Sequence, residues 1–193
     1  MNRDIVKEIL YITIAILLSV LTVKFVIWLF PVILIIILAL IIYSSIKKNK
    51  MEEEITKQQK EKNIKEVCDF LKKIKTFYLA TVDGDQPRVR PMGVAEIYED
   101  RLYIQTGKVK NVSKQMAANP KIEICGFDGN TWLRIEAEAV RDERREVKEY
   151  VLDQNPGLKR MYSADDDNTE VLYHKNATAT FSSFTSEPKT VKF

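Results

Sequence analysis

The chain has one histidine and two cysteines in 193 residues, with six glycines and six prolines. Each scarcity removes a class of chemistry. With His174 alone, no His/Cys/carboxylate cluster can be assembled, and no metal is expected. Cys68 and Cys125 do not form a CxxC, so neither a zinc knuckle nor a dithiol redox motif is present. Cys68 falls on an apolar helix face, where a small buried side chain is the ordinary role. A Ser–His–Asp triad would have to use His174, and no GxSxG accompanies it. No internal repeat at a fixed period is present either.

The sequence also has no basic stripe. Residues 1–50 carry six Lys/Arg and two acids, a balance of +4, whereas the remainder carries 24 basic and 25 acidic side chains, a balance of −1. The formal +3 therefore belongs to the N-terminal segment, and nucleic acid is excluded as a partner on charge.

What the sequence has in excess is one apolar run. Residues 9–43 contain Lys24 as their only charge. As one straight helix they would span about 50 Å, well beyond a hydrocarbon core of about 30 Å. The excess length predicts a transmembrane helical hairpin within residues 5–46, with spans near 5–23 and 28–46 and a turn near Lys24–Pro31. Arg3 and Lys7 precede the run and Lys47, Lys48 and Lys50 follow it. The positive-inside rule then places both ends, and the domain that follows, in the cytoplasm. A cleavable signal is disfavoured because its apolar region should be only about 7–15 residues.

The organisation that follows is a membrane anchor over 1–50, a charged helical linker over 51–63 and a folded domain over 64–193. Ile64, Val67, Cys68, Leu71 and Ile74 recur at helical spacing and should dock on a core. From Phe77 the period shortens to two. Strands are expected at 77–82, 88–99, 101–106, 121–128 and 131–142, with a closing strand in the C-terminal "ATATFSSFTSEPKTVKF". Short helices are expected at 111–118 and 143–154. This is a mainly β, antiparallel domain of one small barrel, because no long helices alternate with the strands.

One corner stands out. In "IQTGKVKNVSKQM" a strand ends at Thr106–Gly107, two lysines follow, and a helix opens with Asn111 as its cap. Unpaired N–H groups at a helix start favour an anion. Lys108 and Lys110 add charge and Thr106 adds a hydroxyl. On the preceding strand "RVRP" places Arg88 and Arg90 on one face. Lysines on a loop are often merely solvated, so the pattern alone points to phosphate only weakly.

The order of the segments "YLATVDGDQPRVRPMG", "DRLYIQTGKVKNVSKQMAANPKIEI" and "WLRIEAEAV" resembles the pyridoxamine 5′-phosphate oxidase-like family over roughly residues 64–193. The resemblance implies a Greek-key-like split β-barrel that holds FMN at a homodimer interface, with haem or a deazaflavin as the alternative ligands. It implies that Arg90 and Lys110 contact the FMN phosphate, with Thr106 and the backbone around Asn111 helping to hold it. Met92 would lie near the ring and Gln105 would face the cofactor. Trp132 would approach the flavin from the partner subunit, or else serve as a core residue. Lys108 would be solvated.

Two departures limit the implied activity. The Arg-x-His that such oxidases carry near the C-terminus is replaced by "SEPKTVKF", and a basic position on the first flavin strand is Ala95. Pyridoxamine phosphate is therefore not the expected substrate. The expectation is a membrane-tethered, FMN-dependent oxidoreductase that takes a small-molecule substrate or electron donor. The alternative is a non-catalytic flavin- or haem-binding sensory module. Tyr103 and Tyr162 are the available acids, and no catalytic residue is assigned.

Overall fold

The computed structural model describes residues 3–193, with side chains from Ile5 onward, so the flanking charge expected of Arg3 lies outside the described residues. One helix, α1 (Arg3–Ile74), takes up the whole N-terminal region. This corrects the expected hairpin, because helix continues through Lys24–Pro31. The physical reason lies in the residues between them. "FVIWLF" supplies no Gly, Asn, Asp or Ser to turn the chain. Pro31 removes only one N–H bond, which a helix with long apolar flanks survives. The apolar part is long and hydrophobic enough to cross a membrane by length and composition. The chain divides into two compact units, Met1–Ile55 and Thr56–Phe193.

The second unit is built on one antiparallel sheet. Its strands are β1 (Phe77–Asp83), β2 (Gln86–Met92), β3 (Glu96–Tyr98), β4 (Arg101–Gly107), β5 (Lys121–Phe127), β6 (Thr131–Asp142), β7 (Thr169–Ser183) and β8 (Lys189–Lys192). Two helices, α2 (Asn111–Ala118) and α3 (Arg145–Gln154), and a 3-10 helix at Pro156–Arg160 connect them. The strand order is β2-β1-β5-β6-β7-β4-β3, and β8 pairs with β7.

That order has a geometric consequence. β2 and β3 are consecutive in the chain yet stand at opposite ends of the path. In a flat sheet they would be about 29 Å apart. The link of residues 93–95 reaches about 14 Å at full stretch. The sheet must therefore curl until its edges nearly meet, which makes it a barrel split between β2 and β3. The expected single strand over 88–99 is thus two strands. Pro91 and Gly93 mark the place where the chain leaves one edge and crosses to the other. The C-terminal region likewise forms two strands. β7 starts at Thr169, upstream of the expected strand, and bends at Asn176, whose φ of 54° accompanies a register shift opposite Glu136/Glu138.

Alternation along the strands fills the barrel. Phe77 and Leu79 of β1, Ile104 of β4, Ile124 of β5, and Leu133 and Ile135 of β6 are buried together with Ile64, Val67 and Leu71 of α1. The helix spacing read from the sequence is therefore the face that closes the core. On the opposite side of the sheet α3 sets Val147 and Val151 against Val94, Tyr103 and Val171.

His174 of β7 is also buried, and neither ring nitrogen has a hydrogen-bond partner among the described residues. Burial lowers its pKa from 6.5 to about 4. Between those values the unfolded chain binds a proton that the folded chain does not, so stability falls as pH drops through that window and levels off below it. The full effect is about 3 kcal/mol. Urea unfolding of wild type and His174→Leu between pH 7 and pH 4 checks this. The wild-type midpoint should fall and the variant's should stay flatter, whereas parallel curves would contradict it.

Candidate functional site

At the split the barrel leaves a cleft of about 670 Å³. Its first wall is the end of β2 and the following link, Pro91 to Val94. Its second wall is Gln105 of β4 with Gln154, Asn155, Pro156, Gly157 and Leu158 from the end of α3 and the 3-10 helix. Lys110, Met161 and Tyr162 complete the lining. Lys110 is the only charged side chain among them, and its Nζ stands 5.7 Å from the Tyr162 ring centroid, a cation–π contact. The walls are otherwise apolar side chains and neutral amides, which is the usual composition of a pocket for a small organic ligand.

Met92, Gln105 and Lys110, three residues singled out in the sequence, meet in this cleft. Arg90, Thr106, Asn111 and Trp132 do not line it. Gln105 and Thr106 are adjacent on one strand and so face opposite ways. Gln105 donates to the Thr106 carbonyl at 2.8 Å, while Thr106 is buried beside its cross-strand partner Glu170. Asn111 is the exposed first residue of α2, and the cap is Lys110, with no side-chain cap bond. A turn from the Lys110 N–H to the Gly107 carbonyl, 3.0 Å, sets the cap one residue earlier than expected. Lys108 is ion-paired with Glu143 at 2.9 Å rather than simply solvated.

Arg90 lies against α2. Its Nη1 donates to the Thr81 hydroxyl at 2.7 Å and the Leu79 carbonyl at 3.2 Å, and its Nη2 donates to Gln115 Oε1 at 2.6 Å. Burial, with a smaller effect from Arg88, holds its pKa below the usual arginine value. Thr81 also donates to Gln115, at 2.6 Å, so the three side chains bind β1, β2 and α2 together. Thr81 and Gln115 carry no sequence signal for this role, since the strand pairing and the helix position are both tertiary. Trp132 packs on Phe184, with ring centroids 5.1 Å apart, opposite Phe127 on the neighbouring strand.

The two tyrosines differ in environment. Tyr103 is buried, donates to Asp142 Oδ2 at 2.9 Å, and has its pKa pushed up to about 12 by burial and that contact. It is a core residue. Tyr162 faces the cleft.

A family model described as pyridoxamine 5′-phosphate oxidase matches residues 64–190. Among solved structures the chain is similar to a NimC/NimA family protein from Clostridium acetobutylicum, with 43% identity and a TM-score of 0.69, over 71% of this chain and 96% of that one. It shares its fold with general stress protein 26 from Bacillus anthracis str. Sterne, at 20% identity and TM-score 0.52, over 64% of this chain and 98% of that one. The same holds for a Clostridium acetobutylicum protein related to general stress protein 26 of B. subtilis, of the pyridoxinephosphate oxidase family. There the identity is 16% and the TM-score 0.54, over 68% of this chain and 95% of that one. No curated protein matches the chain significantly.

The Arg90–Thr81–Gln115 contact predicts a measurable cost. Gln115→Met removes a hydrogen bond to a charged group and should destabilise the domain by about 1.5–3 kcal/mol. Urea denaturation gives the value, and a change below about 0.5 kcal/mol would mean the contact contributes nothing.

Proposed function

The chain belongs to the pyridoxamine 5′-phosphate oxidase family, and on that premise we propose that it is a membrane-tethered, FMN-binding oxidoreductase acting on a small molecule. The observation that carries this reading is the cleft at the split, apolar and amide-lined along its walls and cationic at Lys110. Its residues fit the cofactor chemically. A flat heteroaromatic ring with an amide-like edge suits walls of Pro91, Met92, Val94 and Leu158 with the amides of Gln105, Gln154 and Asn155. A phosphate suits Lys110 and the unpaired N–H groups of the first turn of α2, around Asn111.

FMN, when bound, supplies hydride or electron transfer. The chain's own residues bind it, orient it and exclude water. Lys110 exchanges its contact with Tyr162 for the phosphate. Arg90 spends three of its five N–H donors on Thr81, Leu79 and Gln115, and the remainder serve the phosphate from the α2 side. The Thr106 backbone supports that corner. No Asp, Glu or His lines the cleft among the described residues. This lining also supports a second reading, a ligand-binding or sensory module without turnover.

The substrate in this reading is not pyridoxamine phosphate. Lys110 is the one cation lining the cleft and would be engaged by FMN, and Ala95 is buried in the core. His174, the only imidazole, lies in the barrel wall outside the cleft lining, which counts against haem.

A homodimer is supported by the outer face of the sheet. Val89 is 65% exposed, Tyr78 52% and Phe127 55%, on the neighbouring strands β2, β1 and β5. An apolar face of this kind on a small barrel calls for a cover, and a self-complementary contact across a two-fold axis provides one. Trp132 lies beside Phe127 at the edge of that face, and in this reading it approaches the second copy's flavin. Membrane tethering through α1 is supported by its apolar length. Lys47, Lys48 and Lys50 outnumber the basic residues before the run and favour a cytoplasmic domain.

Three measurements test this reading. Flavin fluorescence titration should show FMN binding to the wild type and a Kd about 10- to 150-fold weaker for Lys110→Met, from loss of a charge-assisted contact. Equal affinities would place the phosphate elsewhere. Steady turnover with NAD(P)H would remove the non-catalytic reading. Val89→Lys should convert the detergent-solubilised dimer to a monomer by light scattering, whereas an unchanged mass would move the interface off this face.

A further inference from the structure

Glu96 is an acid in an unusual place. It sits on β3 at the split, only 4% exposed, and both carboxylate oxygens are occupied. Oε2 pairs with Lys72 Nζ in the last turn of α1 at 2.5 Å, and Oε1 accepts from Asn155 Nδ2 at 3.0 Å. A buried carboxylate is tolerated only with such partners.

Asn155 is the pivot of the second cleft wall. Its Nδ2 also donates to the Val151 carbonyl at 2.9 Å and its backbone N–H to Leu152 at 3.1 Å, which closes α3. Its own carbonyl accepts from the Leu158 N–H at 2.9 Å, which opens the 3-10 helix. That helix buries none of its residues fully, and Leu158 alone of them packs against the cluster under α3, so core packing holds this wall at a single side chain. The first wall is referenced to the same end of α1. The Cys68 thiol donates to the Ala95 carbonyl at 3.4 Å, and a Cβ on Gly93 would meet the Lys75 carbonyl at 3.4 Å.

We propose that Glu96 is a positioning residue that sets the width of the ligand cleft, by fixing Asn155 and the 3-10 wall against the last turns of α1. The role rests on the reading of this cleft as the ligand site, and Glu96 itself does not line it. The carboxylate does two things at once. Its charge is held by Lys72, and its second oxygen helps order a segment whose own packing is confined to Leu158 and Tyr162. Ligand affinity therefore depends on a side chain that makes no ligand contact.

The test is amide hydrogen exchange on the full chain in detergent without ligand, followed by FMN titration, for Glu96→Ala, Asn155→Ala and Glu96→Gln. In the two alanine variants exchange at residues 157–162 should accelerate about tenfold or more while β1, β5 and β6 keep their rates. FMN affinity should weaken in parallel. Glu96→Gln keeps an acceptor for Asn155 and should restore most of the protection at 157–162. Unchanged exchange at 157–162 in both alanine variants would overturn the proposal. So would acceleration spread equally over the sheet, because Glu96 would then serve only global stability. If Glu96→Ala does not fold, Asn155→Ala carries the same comparison alone. The exchange measurement does not need flavin. Local acceleration in a wild-type background that binds no FMN would leave the positioning role standing and remove the flavin reading.

Discussion

The domain depends on a short tether. Residues 93–95 join β2 to β3, which stand at opposite ends of the strand order. A link of that length cannot cross a flat sheet of these strands. The sheet must curl, and the place where its edges approach without pairing is a cleft by construction. The tether also forms the cleft's first wall, so the feature that makes the barrel also makes the site. The last turns of α1 reinforce it through Cys68 and Lys72, and the same helix face fills the barrel with Ile64, Val67 and Leu71.

The polar groups around the split are distributed with one consequence for chemistry. Most are already committed to each other: Arg90 to Thr81 and Gln115, Glu96 to Lys72 and Asn155, and Lys108 to Glu143. Lys110 has only an aromatic ring as its partner in the cleft. A cation–π contact of that kind contributes about 0.5–1 kcal/mol at an exposed site, less than a charge-assisted hydrogen bond to phosphate. The exchange of one for the other is therefore downhill. The committed groups hold walls in place, Arg90 keeping two N–H donors to spare, and Lys110 is the cation left facing the cleft.

Much of the barrel was legible in the sequence because alternation and punctuation are local. "KIEICGF" and "TWLRIEAEAVRD" alternate, "FYLATV" and "RLYIQT" are short runs rich in strand-forming residues, and Gly129, Asn119–Pro120 and Asn155–Pro156 end their segments. The break at Gly93 carried a local signal, but its meaning as a crossing between sheet edges depends on strand order, which no local pattern carries. The hairpin expectation rests on a length mismatch and on basic residues at both ends of the run, and "FVIWLF" offers no turn residue to support it. Within the site, the opposite facing of Gln105 and Thr106 was readable from their adjacency. The grouping of Thr81, Gln115, Glu96, Asn155 and Tyr162 was not, since each pair is far apart in the chain and meets only through packing.

The most direct test of the central claim, that the split cleft holds FMN, is the visible absorption spectrum of the full chain purified in detergent. Flavin absorption bands should stay with the protein through gel filtration, or appear after incubation with FMN and desalting. A protein that stays colourless through both treatments, or one that shows a haem spectrum, would contradict it.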